Sequence, residues 1–261
     1  MTCRGLKTSS TPCNWISIGG VRTVILSPSS PSCFPGGGLC VAVSAQDPRS
    51  AIASVQPVID LVDVVEIRLD GMQEVQVPEL CKGITCPLLL TNRAQWEGGA
   101  FKGSEEERLR PLLDGIKHGA AYIDLELKTS EQLRQRLLDA LQGTQTRLIV
   151  SHHNFAETPD SDALSAILKQ QIESGAHIGK IVTMAHDHLD VLRVLNLQEE
   201  ASKNNFPLIA FCMGEPGKLS RIITLLLGGF MTYAALDEEQ ATAPGQLTVQ
   251  ELKAALACLA Y

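Results

Sequence analysis

The chain has 261 residues, 44% hydrophobic and 20% charged, a balance that excludes an extended disordered protein and allows one large core. Its formal net charge of -7 argues against nucleic acid and anionic membrane as partners. The longest near-apolar stretch, Ile222–Leu236, is short for a membrane span and reads as a helix end followed by a buried strand.

Residues 1–37 are rich in Ser, Pro, Thr and Gly, carry Arg4, Lys7 and Arg22, and precede the first acidic residue, Asp47. They read as a flexible N-terminal extension, with a cleaved transit peptide or a misplaced start as alternatives. No secretory signal is visible. The eight cysteines are scattered without a CxxC pair, as expected of a reduced, cytoplasmic protein.

Residues 38–261 read as one catalytic domain in which β then α alternate. Short apolar runs predict strands over Leu39–Ser44, Val62–Leu69, Leu88–Asn92, Ala121–Leu127, Arg147–Ser151, Ile178–Ala185, Pro207–Met213 and Phe230–Ala235. Helical spacing between them predicts Ser104–His118, which opens on a capping signature, then Ser130–Leu141, Ser161–Ser174, Leu189–Ser202 and Leu247–Leu259. Eight such units imply an α/β fold of the (β/α)8 TIM-barrel type, in a single domain. An open doubly wound sheet is the competitor, but no GxGxxG follows the first strand.

A barrel places its chemistry at the carboxyl ends of the strands. Polar residues fall there: Glu66 and Arg68 on one face of strand two, Arg93 after strand three, Asp124 and Glu126 on strand four, His152 and His153 after strand five. Lys180 lies inside the apolar run of strand six. Burial lowers a lysine's pKa and frees its amine as a nucleophile, which with a histidine base suggests Schiff-base chemistry on a carbonyl. Each residue has a structural alternative. Lys180 could snorkel from an edge strand, Glu66 and Arg68 could form an ion pair, and His153 could be a hydrogen-bonded core histidine. His186-Asp187-His188 lacks other ligands at metal-binding spacing, and Gly214–Ser220 lacks the glycine spacing of a phosphate loop.

Several motifs, in this order, carry a resemblance. They include Val65-Glu66-Ile67-Arg68-Leu69-Asp70, Thr91-Asn92-Arg93 with Glu97-Gly98-Gly99, and Tyr122-Ile123-Asp124-Leu125-Glu126. Ser151-His152-His153-Asn154-Phe155, Gly175 to Ile181, Cys212-Met213-Gly214-Glu215 through Ser220-Arg221, and Thr242-Ala243-Pro244-Gly245-Gln246 follow. From about Leu39 onward the chain resembles type I 3-dehydroquinate dehydratase.

The resemblance implies a (β/α)8 barrel of the shikimate pathway, usually a homodimer, without metal or organic cofactor. It implies that Lys180 forms an imine with 3-dehydroquinate, that His153 moves the proton, and that Glu126 orients His153. It also implies that Arg221 binds the substrate carboxylate and that Glu66, Arg68 and Arg93 line the hydroxyl-binding side. Thr242 and Gln246 would belong to a closing loop, and Ser44 and Met213 to the wall. Thr242 stands where many members have Ser. A class I aldolase-like barrel and a catalytically silent binder of cyclic carboxylic acids are the rival readings.

Overall fold

The computed structural model describes residues 16–18, 21–23, 38–237 and 243–259. Two short antiparallel strands, Ile16–Ile18 and Val21–Thr23, come before the main body. Eight parallel strands follow: β1 (Gly38–Ser44), β2 (Val64–Arg68), β3 (Leu88–Thr91), β4 (Tyr122–Glu126), β5 (Arg147–Asn154), β6 (Ile178–Met184), β7 (Leu208–Met213) and β8 (Met231–Ala234). They pair in the order β8-β1-β2-β3-β4-β5-β6-β7. At the seam, the Phe230 amide donates to the Leu208 carbonyl at 2.8 Å and the Phe230 carbonyl accepts from Gly38 at 3.1 Å. The sheet thus nearly closes into the expected barrel.

Helices α1 (Pro48–Val55), α2 (Val77–Gly83), α3 (Glu105–Lys117), α4 (Glu131–Leu141), α5 (Ser161–Glu173), α6 (His188–Lys203), α7 (Lys218–Leu226) and α8 (Val249–Leu259) alternate with the strands. Their starts follow local chemistry. Ser104 and Glu107 form the expected capping box of α3, while Asp47, Ser130, Asp160 and Asp187 accept from backbone amides in the first turns of α1, α4, α5 and α6. Each such cap is worth about 1 kcal/mol. Among the described residues no helix is long and apolar enough to cross a membrane.

The two-residue period of the strands sorts side chains between two cores. Val41, Val43, Val65, Ile67, Leu90, Ile123 and Val150 face the helices, in one cluster with Leu109, Leu112 and Leu137. Cys40, Val64, Leu89, Ile149, Ile178 and Ile209 fill the lower barrel. Above that apolar plug the same inward positions become Glu66, Thr91, Asp124, Ser151 and Lys180, all buried. A hydrophobic floor under a polar layer gives the site at the barrel's mouth a rigid support.

Two strand boundaries differ from expectation by more than one residue. β5 runs on to Asn154 rather than stopping at Ser151, because His152, His153 and Asn154 stay in register with Ile181, Val182 and Thr183 of β6. β2 starts at Val64 rather than Val62, because the 3-10 turn Gln56–Leu61 occupies the chain just before it. The short α1 and α2, which the pattern did not predict, complete the ring.

Candidate active site

Lys180 comes from the middle of β6, 4% exposed. Its Nζ lies 3.3 Å from Asp124 Oδ2 and 3.6 Å from Glu66 Oε1. It also sits 4.2 Å from the centroid of the Tyr233 ring, a cation–π distance. Two carboxylates and an aromatic face therefore surround the amine, each reaching it from a different strand.

Arg93 ties this layer together. Its guanidinium meets Asp124 Oδ2 at 2.9 Å, Glu126 Oε1 at 3.0 Å and the Ser151 hydroxyl at 2.6 Å. Ser151 in turn donates to Asp124 Oδ1 at 2.6 Å. Burial pushes the Asp124 carboxyl up, but Arg93 and then Lys180 overcome it and hold the group far below the usual carboxylate range. Asp124 is therefore a fixed anion.

His153 ends up with a different partner from the one expected. Its Nδ1 lies 2.9 Å from Glu97 Oε2, and its backbone N–H donates to the same oxygen at 3.1 Å. Glu126, proposed from sequence as the orienting carboxylate, makes no contact with it. Glu126 Oε1 accepts from Arg93 and from the Ala94 amide at 2.9 Å, and Oε2 accepts from Arg108. Strand register explains the correction: Glu126 is level with Ser151, so His153 lies one inward-facing layer above it.

Glu97 reaches that upper layer from the turn after β3, Gln95–Glu97. The chain reverses there through Gly98 at φ 75°, in the left-handed region that favours glycine. At Gly99 a Cβ would fall 1.9 Å from the Arg93 carbonyl oxygen, so only glycine lets the loop close so tightly on β3. Phe155 covers the far side, stacked on His153 with ring centroids 6.3 Å apart.

The two groups titrate away from their ordinary values. Burial, then Arg93 and Lys180, push the His153 imidazole well below its usual range, so it is neutral at pH 7. Burial pushes Glu97 up to about 8 against the pull of Arg93, with Glu126 and Asp124 adding to the rise. His153 and Glu97 therefore take up and release a proton as a unit. Once the unit has lost its proton, Nδ1–H donates to the Glu97 carboxylate and Nε2 is left as a base.

Arg108, on α3, supports the arrangement from outside. It is wholly buried, donates to Glu126, to the Asn92 carbonyl at 3.1 Å and to Thr129 at 2.9 Å, and forks onto Glu105 with two 2.8 Å bonds. Removing one partner from such a buried ion pair costs roughly 3–5 kcal/mol.

The remaining expected residues divide. Glu66, Arg68, Arg93, Arg221, Met213 and Gln246 line the same cavity as Lys180 and His153. Arg68 is held as a fork by Asp70, with two 2.8 Å bonds. Ser44 sits at the exposed end of β1, where a Cβ on Gly71 would touch its hydroxyl, and it does not line the cavity. Thr242 lies outside the described residues. His186, from the discarded metal reading, hydrogen-bonds the Ala156 carbonyl at 2.8 Å.

Arg221 is 1% exposed, with its guanidinium carbon 4.6 Å from the Phe211 ring centroid. It forms no ion pair among the described residues, and its Nε is buried without a hydrogen-bond partner. Burial lowers its pKa to about 10. Its Nη2 donates one long bond, 3.4 Å, to the Pro244 carbonyl. A buried guanidinium in a cavity wall, with no ion pair among the described residues, is a receptor for an anion, best a carboxylate that accepts two bonds at once.

Polar groups gathered at the carboxyl ends of barrel strands, around a buried lysine and a neutral histidine, define a (β/α)8-barrel enzyme. Residues 39–260 match the type I 3-dehydroquinase family, and the chain belongs to it. It is similar to a 3-dehydroquinate dehydratase of Desulfotalea psychrophila, 44% identical over 191 residues, which is 73% of this chain and 84% of that relative. A 3-dehydroquinate dehydratase of Methanococcus maripaludis is 38% identical over 215 residues, covering 82% and 96% of the two chains. Among solved structures, the 3-dehydroquinate dehydratase of Geobacillus kaustophilus superposes with a TM-score of 0.77 at 26% identity, covering 94% of this chain and 96% of the other.

Proposed function

We propose that the chain dehydrates 3-dehydroquinate to 3-dehydroshikimate through an imine on Lys180, a step of the shikimate pathway. The observation that carries this reading is a single cavity holding Lys180, His153 and the buried Arg221, whose Nε has no hydrogen-bond partner among the described residues. The Lys180 amine adds to the C3 carbonyl, and water leaves to give an iminium. Glu66 and Asp124 flank the nitrogen and balance its positive charge. His153 Nε2 takes the C2 proton, and the electron pair moves into the iminium to form an enamine. The enamine returns the pair to expel the C1 hydroxyl, which takes the proton back from His153. Hydrolysis then frees the enone and the amine. Across the cycle the substrate loses one water.

Arg221 takes the ring carboxylate, while Glu66, Arg68 and Arg93 address the hydroxyl groups and Gln246 closes the mouth. Met213 adds to the wall. The family resemblance also carries the reading of a homodimer that needs no metal or organic cofactor.

The test is a dehydration assay. The product is a conjugated enone, so adding 3-dehydroquinate should raise ultraviolet absorbance in proportion to enzyme. Folded enzyme that leaves the absorbance flat would overturn the proposal.

Glu97 provides a second check. In the parent, kcat/KM should climb with pH up to about 8, as the Glu97–His153 unit loses its proton and Nε2 becomes available. In Glu97→Gln the remaining titration belongs to His153, which lies well below 6.5, so the rise should move to lower pH. The maximal rate should fall at least about tenfold because the imidazole loses its carboxylate. Glu126→Gln removes a charge that repels the Glu97 carboxylate without touching His153, so it should lower the midpoint by less than Glu97→Gln does. A pH–rate series on both variants reads the difference.

A further inference from the structure

Outside the barrel mouth, α2 and α3 flank a cleft of about 700 Å³, a volume in the range of small-molecule sites. We propose that this cleft is a second ligand site, for a small anion with an apolar, ring-sized body. The proposal does not depend on the reading of the catalytic reaction.

The walls are apolar. Leu69, Met72 and Val77 come from the β2–α2 side, and Phe101, Pro111 and Leu113 from the loop before α3 and α3 itself. Three cations line the same cleft: Lys102, Arg110 and Lys117, the last two a helical spacing apart on α3. None of the three makes a hydrogen bond or ion pair among the described residues, whereas the nearby acids are engaged. Glu107 caps α3 by accepting from Ser104, Asp114 faces His118 at 3.4 Å, and Asp70 is forked onto Arg68. With Asp70 balanced by Arg68, three cations face the two anions Glu107 and Asp114, an excess of one positive charge that an anion answers. The floor holds Asn92, 2% exposed, whose Oδ1 is buried without a hydrogen-bond partner.

This floor is also the back of the candidate active site. Asp70 accepts from the Arg93 amide at 3.1 Å and the Ala100 amide at 3.0 Å, and both Asp70 and Ala100 line the cleft. A bound anion would rest on the segment that positions Arg93 and Glu97.

The probe is anilinonaphthalene sulfonate, an aromatic anion whose fluorescence reports transfer to an apolar site. It should bind the native chain saturably, one per chain. The exposed double substitution Arg110→Glu with Lys117→Glu should weaken it about tenfold. Phe101→Ala should weaken it through lost apolar contact. Lys169→Glu with Lys203→Glu, the same change in net charge on α5 and α6, should leave it unchanged. If the first pair lowers the melting temperature, Arg110→Gln with Lys117→Gln gives the same reading without charge reversal. The proposal is overturned by unsaturable binding, by parent-like affinity in the Arg110 and Lys117 variants, or by equal weakening in the control pair. Loss of binding in Arg221→Ala, folded by its melting curve and with the cleft variants unaffected, would place the probe in the barrel mouth and also overturn it.

Discussion

Replacing Lys180 with methionine is expected to remove dehydration, by at least about 10⁴-fold, together with any borohydride-trapped adduct. The methionine side chain keeps the length and apolar stem of lysine but offers no amine to the carbonyl. The fold should survive. Asp124 keeps Arg93 at 2.9 Å and the Ser151 hydroxyl at 2.6 Å, and Glu66 keeps the Thr91 hydroxyl at 2.7 Å. A melting curve close to the parent's, beside an inactive enzyme, would separate chemistry from collapse. Intact mass after borohydride and 3-dehydroquinate should show the added substrate mass in the parent alone, with peptide mapping assigning it to Lys180. Retention of more than about a hundredth of the parent rate would place the chemistry on another group.

Replacing His153 with alanine is the second large effect, and its signature differs. Elimination should slow by about 10²–10⁴-fold, the usual worth of a positioned acid–base group. Imine formation needs only the Lys180 amine, so the borohydride adduct should still form on the variant. The substitution leaves Glu97 Oε2 with the backbone amide of position 153 and with Arg93 at 4.0 Å, and Phe155 loses the ring it stacks on. A variant that dehydrates normally would remove His153 from the proton path. One that forms no adduct would instead move it to the carbonyl-addition step.

The barrel was legible because parallel strands buried on both faces produce short apolar runs, and each of the eight helices carries a cap, an acid or a glycine near a start or end. Lys180 stood out for a simple physical reason: a cation in the middle of such a run needs partners or a purpose. Glu97 did not stand out as the histidine's partner. It lies four residues beyond Arg93, and nothing in that spacing shows that Gly98 and Gly99 turn the chain back over the mouth. Glu126 drew the assignment through the resemblance carried by its segment, Tyr122–Glu126, yet the register of β4 with β5 puts it level with Ser151. Arg108 was hidden differently. On an amphipathic helix it reads as a solvent-facing charge, and only the packing of α3 against β4 reveals that it is wholly buried. Short α1 and α2, at eight and seven residues, carry too little periodicity to be read from pattern.

Arg221 has a meaning for the fold as well as for recognition. A guanidinium taken out of water with no counter-charge among the described residues makes the unliganded protein less stable than its packing alone would allow. That deficit is relieved when a carboxylate arrives, so part of the affinity for an anionic ligand is strain already present in the resting barrel. Folding and recognition are thereby set against each other at one side chain. The protein is most comfortable at work, and a cell that keeps it supplied with ligand also keeps it folded.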